Sequence, residues 1–229
     1  MYSMQYQNAA SLASERSEFI RKVYMNLALG FAGFIALEAF LVSWQPAVDL
    51  AQRMVSGNSW LIVLLAFMGV SWLANSWAIT GATLGKQYAG FALYITAEAV
   101  IFLPLIIFAN SFAPDTIPQA GIITAALTAG ISAYAFFSKK DFSFMGSFLT
   151  IASFVALGII ACAVLFGIQL GLWFSAAMIA FAGLVILYQT SVMIRRYRND
   201  QYVAAALGLF AAIALMFWYI LQFLISSRR

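Results

Sequence analysis

The sequence predicts an all-α membrane protein with seven transmembrane helices, the N-terminus in the cytoplasm and the C-terminus outside. Three observations carry that prediction. Of 229 residues, 64% are apolar and 9% charged, against roughly a quarter charged in a soluble domain, so a single soluble core could not hide the apolar surface. Residues 142–194 make 53 consecutive positions without a charge. As one helix they would measure about 80 Å, far beyond a hydrocarbon core of about 30 Å, so the run must fold back. Finally, the basic residues fall mostly between alternate spans, as the positive-inside rule requires.

The elements follow in order. Residues 1–22 read as a cytoplasmic tail and residues 23–227 as a single membrane domain. The apolar stretch after Arg21 and Lys22 runs too long for a signal peptide and shows no cleavage site. Residues 23–46 contain one charge, Glu38, and give span one. Span two covers residues 60–77, followed by a turn ending at Lys86; Gly81 and Gly85 have GxxxG spacing but fall in that turn, which weakens a dimerisation reading. Span three, residues 88–108, also holds a single charge, Glu98. Asn110, Pro114, Asp115 and Pro118 then interrupt the helix, because proline neither continues a helix nor lets its predecessor do so. Span four covers residues 119–137. The long uncharged run turns at Gly167-Ile168-Gln169-Leu170-Gly171, giving span five at 145–166 and span six at 172–194. Residues 201–227 form span seven. With an internal N-terminus, Arg16, Arg21, Lys22, Lys86, Lys139, Lys140, Arg195, Arg196 and Arg198 are cytoplasmic, whereas Arg53, Arg228 and Arg229 lie outside. Nine against three fixes the orientation, and an even span count would break the alternation.

Composition also excludes functions. The net charge of +4 is too small and scattered for a nucleic-acid surface. Histidine is absent, and with it the commonest metal ligand. The single cysteine, Cys162, cannot form an internal disulfide, and within its apolar run it reads as a small buried hydrophobe. No nucleophile–base pair or metal site can be assembled from what remains. A non-enzymatic protein without cofactor is expected.

Several short segments resemble the Bax-inhibitor family of membrane proteins. Phe19-Ile20-Arg21-Lys22-Val23-Tyr24 is similar to the start of that family's first helix. Glu98 with Pro104 six residues later resembles its third-helix pattern, with Ala99 where glycine is usual. Lys139-Lys140-Asp141-Phe142-Ser143-Phe144-Met145-Gly146 resembles the basic loop before its fifth helix. Leu187-Tyr188-Gln189-Thr190 and Ala206-Leu207-Gly208-Leu209-Phe210 resemble its sixth and seventh. The resemblance implies a central helix surrounded by six. It further implies pH-sensitive calcium leak, protection from cell death or, in a bacterial branch, restraint of a membrane-bound ATP-dependent protease. The short tail suggests a bacterial inner-membrane member. In leak-competent members a pair of aspartates is thought to latch the pore; the resemblance places Gln189 and Ala212 at those positions, and neither side chain titrates. A shared-proton carboxylate pair is therefore excluded there.

The strongest candidates for function are the two acids inside the spans. An ionised group at bilayer depth costs about 2.5–3.5 kcal/mol on insertion scales, which marks it as functional by default. Glu98 lies near the middle of span three. Glu38 lies about six residues from the outer end of span one, roughly 9 Å deep. Both are candidates for a proton or cation path, with packing hydrogen bonds as the alternative. Gln189, Thr190 and Ser191 make a polar cluster at the latch position, suited to interhelical hydrogen bonds or to a pore lining. Asp141 with Ser143 suits a helix start. The expected function is a cation (calcium or proton) leak or ion-homeostasis protein lacking the aspartate latch. The alternative is a non-catalytic regulator of a membrane-bound protease or other membrane partner. The lipid bilayer is the one certain partner, and no nucleic acid is expected.

Overall fold

The computed structural model describes residues 2–57, 59–80, 83–138 and 140–228. Lys139, Arg229 and Gly81, invoked above, lie outside the described residues. Eight α-helices are described: α1 Tyr2–Ser43, α2 Gln45–Met54, α3 Ser59–Thr80, α4 Leu84–Phe112, α5 Thr116–Phe137, α6 Gly146–Phe166, α7 Leu172–Arg195 and α8 Tyr202–Ser227, with a 3₁₀ turn at Ser143–Met145 before α6. Among the described residues, seven stretches are long and apolar enough to cross a membrane: Ser14–Ser43, Ser59–Ile79, Leu84–Phe112, Thr116–Phe137, Ser143–Phe166, Leu172–Arg195 and Tyr202–Ser227. The uncharged run folds back as expected. Gly167 stands between α6 and α7 with φ 65°, a left-handed conformation that glycine adopts without a Cβ penalty.

Side-chain pairings place the part of α1 around Arg16 and Lys22, the starts of α4 and α8 and the end of α7 at one pole, which also gathers Arg195 to Arg198. We refer to it as the basic pole. The other pole holds α2 and the α6–α7 turn.

The helix α8 is the centre of the bundle. It packs on α1, α3, α4, α5 and α7, and most of its residues are buried. Small side chains such as Ala204, Ala205, Ala206, Ala212 and Ala214 let the neighbours approach, which matters because lipid supplies no hydrophobic drive between helices and packing must. Phe210 fills the middle of this contact, its ring meeting those of Phe31, Phe34, Phe91 and Tyr94. The helix α6 stands apart: it packs on α7, the 3₁₀ turn and α3. The remaining outward faces are apolar, with Phe112, Phe137, Phe166 and Trp173 among the most exposed, as a surface solvated by lipid tails should be.

Three expectations are corrected. Span one, expected to run to residue 46, ends at Ser43, and Gln45–Met54 form the separate helix α2, for which no element is expected from the charge-free windows. Pro46 starts it, because a fixed φ suits the first helical turn, and Ala47, Ala51 and Met54 make a buried stripe against α1 and α4. Gly85 and Lys86 belong to the first turn of α4, not to a connecting turn; the Thr83 hydroxyl accepts the Lys86 N–H at that helix start. Cys162 is exposed on α6. An evenly apolar helix carries no periodic signal to show which of its faces meets lipid.

Candidate functional site: a glutamate on a deep cavity

Because α6 stands off from the bundle, a cavity of about 1150 Å³ opens among α3, α4, α6, α7 and α8. Its walls run from Gly57, Gly167 and Ser226 near the pole opposite the basic one down to Glu98 and Leu215. The eleven-residue step from Ser226 to Leu215 corresponds to about 17 Å of helix, more than half the hydrocarbon thickness.

Glu98 is 5% exposed. The Tyr94 hydroxyl, one turn earlier on α4, is its hydrogen-bond partner. The other carboxylate oxygen, Oε2, is buried with no hydrogen-bond partner among the described residues. A buried acceptor left unmatched is costly and rare in native proteins. Six residues on, Pro104 lies inside α4 and on the same cavity wall. Having no N–H, it leaves the Val100 carbonyl without its helical donor. One wall of the cavity thus carries an unmatched carboxylate oxygen and a locally weakened helix.

The structure separates the two acids. Glu38 is 6% exposed, and both of its carboxylate oxygens lack a partner among the described residues. It does not line the cavity, so it shares no surface there with Glu98. Gln189, Thr190 and Ser191 also lie off the cavity. The Gln189 amide lies over Gly208, where an added Cβ would come 2.8 Å from Oε1, one turn before Ala212 on α8. Ser132 of α5 and Thr190 share a hydroxyl–hydroxyl contact of 3.5 Å.

Ser191 ties the basic pole together. Its hydroxyl accepts the Phe142 N–H at 3.0 Å and donates to Asp141 Oδ1 at 3.3 Å. Asp141 also accepts the Ser143 N–H at 2.9 Å, ahead of the 3₁₀ turn, and faces Arg196 at 4.0 Å. Arg195 donates to the Ser138 and Lys140 carbonyls at 3.3 and 3.1 Å, and Arg198 pairs with Asp200 at 2.5 Å. The α5–α6 loop is thereby fastened to the end of α7.

Asp141 sits below the usual aspartate range, chiefly because the Ser143 backbone N–H stabilises its charged form, with Ser191 and Arg196 adding to this. Its folded pKa is depressed, so whatever stability it lends is present above the unfolded value, near 4, and is lost as pH falls through the folded one. We expect amide-exchange protection at Phe142 and Ser143, corrected for intrinsic rates, to stay constant from about pH 8 to about pH 5 and to weaken only in stronger acid. Protection that fell between neutrality and pH 5 would show that another group holds the loop.

One residue that the sequence reading counted only as a topological charge has a further role. Arg16 of α1 donates to the carbonyls of Ile194 at 2.8 Å and Tyr197 at 2.9 Å, to the Met193 carbonyl, and to Asn199 Oδ1 at 3.1 Å. It thus satisfies carbonyls that the end of α7 leaves open. A cation can serve any helix end, so its position along the chain carries no sign of which one.

These features define an integral α-helical membrane protein with seven spans, a central helix and an acid-bearing cavity that stops partway across. The chain belongs to the Bax-inhibitor family: the family model described as inhibitor of apoptosis-promoting Bax1 matches residues 16–229. It is similar to an uncharacterized protein of Pseudomonas aeruginosa, 29% identical over 97% of this chain and 96% of that one. It is also similar to the Golgi anti-apoptotic protein of vaccinia virus, 27% identical over 93% and 87% of the two chains. Protein lifeguard 4 of Mus musculus is 27% identical over 91% of this chain and 85% of its own.

Proposed function

We propose that this protein is a cation leak or ion-homeostasis protein of a bacterial inner membrane, in which Glu98 binds a proton or calcium ion at the foot of an outward-facing cavity. The observation that carries the reading is the unmatched Glu98 oxygen on the cavity wall. A carboxylate held there without a donor is a ready acceptor for an arriving proton or cation. The orientation belongs to the same proposal. The basic residues gather at one pole, which the positive-inside rule assigns to the cytoplasm, so the cavity faces out and the fastened α5–α6 loop closes the inner side. Glu38, buried near the outer pole, is a second acceptor that works apart from this cavity.

The test is flux of calcium and protons into liposomes containing the purified protein, across pH. Glu98→Gln should reduce flux about tenfold or more, since it removes the charge while keeping shape. A wild-type protein silent at every pH, or an unaltered Glu98→Gln, overturns the reading. One observation favours regulation of a membrane-bound ATP-dependent protease as the second reading. The 42-residue helix α1 is about 63 Å long, so it exceeds a hydrocarbon core of about 30 Å, and in this reading its first turns carry the partner contact.

A further inference from the structure

We infer that the cavity is a binding site for a lipophilic ammonium ion: one protonated amine carried on an apolar body. The walls are largely hydrocarbon, and no Lys or Arg is among the described residues that line them. Glu98 alone bears a charge among those described residues, and its Oε2 has no partner among them. Anionic ligands find no counter-charge among these described wall residues, and a neutral ligand can donate a hydrogen bond to that oxygen but leaves its charge without a counter-ion.

The aromatic rings that line the same cavity select among cations. Trp60 stacks on Trp218 with centroids 6.1 Å apart, Phe102 meets Trp218 edge-on at 4.9 Å, and Phe67 lies 6.0 Å from Tyr94. All five rings line the cavity. Aromatic faces attract cations, ammonium ions above all, and an N–H donor aimed at Oε2 makes a charge-assisted hydrogen bond. A bound calcium ion takes six to eight oxygens, which the wall around Glu98 does not supply without several waters. An alkylammonium takes one carboxylate and some rings, and its chain lies against the hydrocarbon-lined walls. The site fits that class on charge, shape and polarity together. Glu98 is shared with the ion-path reading, but binding needs no flux.

The probe is 12-bromododecylamine, added to the full-length protein in nanodiscs of zwitterionic lipid, with tryptophan quenching as the readout. 12-Bromododecanol and 12-bromododecanoate report partition into the bilayer alone. We expect saturable quenching by the amine beyond that of the alcohol, a smaller amplitude in Trp218→Phe, and affinity about tenfold weaker in Glu98→Gln, equivalent to about 1.4 kcal/mol. Ala156→Phe, which intrudes from the α6 wall without touching the carboxylate, should also weaken binding. Equal quenching by amine and alcohol overturns the inference, as does unchanged affinity in both Glu98→Gln and Ala156→Phe. Ion flux is read separately in liposomes without amine, so failure of either reading leaves the other standing on its own measurement.

Discussion

Replacing Gly90 with alanine should lower the melting temperature of the detergent-purified protein clearly, and replacing it with leucine should leave little folded protein to recover. At Gly90, α4 approaches α3 closely. A Cβ built there would lie 2.5 Å from the Ala74 carbonyl oxygen, 3.0 Å from the Trp77 Cβ and 3.1 Å from the Ala78 nitrogen. The two atoms belonging to backbone cannot swing aside as a side chain could, so the helices must part. Ala74 and Ala78, one turn apart on α3, are buried, and together with Gly90 they form the small-residue contact by which membrane helices associate. Overpacking of this kind costs about 1–3 kcal/mol for one added methyl, and leucine adds three more carbons. Gly130→Ala is the control. Nothing lies within 4 Å of a Cβ there, so it should be neutral or stabilising by roughly 0.5–1 kcal/mol through helix entropy. If Gly90→Ala melts with the wild type, the α3–α4 packing described above is wrong.

That contact also shows where the sequence could be read and where it could not. GxxxG spacing drew attention to Gly81 and Gly85, but Gly85 faces open space, while the close approach falls on a glycine without that spacing. The spans themselves were legible because each depends on one scalar, the distance between charges, and a 53-residue gap admits only one fold-back at the Gly167 turn. The helix α2 carried a readable signal in Pro46 followed by Ala47, Ala51 and Met54, but charge-free counting gives no weight to a ten-residue amphipathic stretch. Glu98 was legible as an ion in an apolar run. Its cavity was not, because the cavity exists where α6 fails to meet α8, and helices apolar on every side do not encode their azimuth. The same blindness paired Glu38 with Glu98 by depth alone and buried Cys162. Arg196 and Arg198 were legible as cytoplasmic charges, but their pairing with Asp141 and Asp200 depends on the turn after α7 and was not.

The largest single-residue effect away from glycine should come from Phe210. Its side chain is fully buried, and its ring centroid lies 4.7 Å from that of Phe31, 6.0 Å from those of Phe34 and Phe91, and 6.2 Å from that of Tyr94. It therefore joins α1 and α4 to the central helix. In a soluble core, Phe→Ala costs about 3–5 kcal/mol, part as transfer from water and part as the cavity left behind. Here the separated helices would still lie in lipid, so most of the transfer part drops out and the lost packing remains. We expect Phe210→Ala to destabilise by about 3 kcal/mol, at the low end of that range, and Phe210→Leu by about 1 kcal/mol, because leucine keeps much of the volume. Reversible unfolding in bicelles measures both. Phe137→Ala is the comparison: that ring is 88% exposed, meets lipid before and after any separation of the helices, and should change nothing measurable. Equal stabilities of Phe210→Ala and Phe137→Ala would mean that lipid fills the vacated space as well as the ring did, and that α8 is not the element on which the bundle closes. A loss confined to Phe210→Ala would also reach the cavity, since Tyr94, one of the rings released, is the hydrogen-bond partner of Glu98.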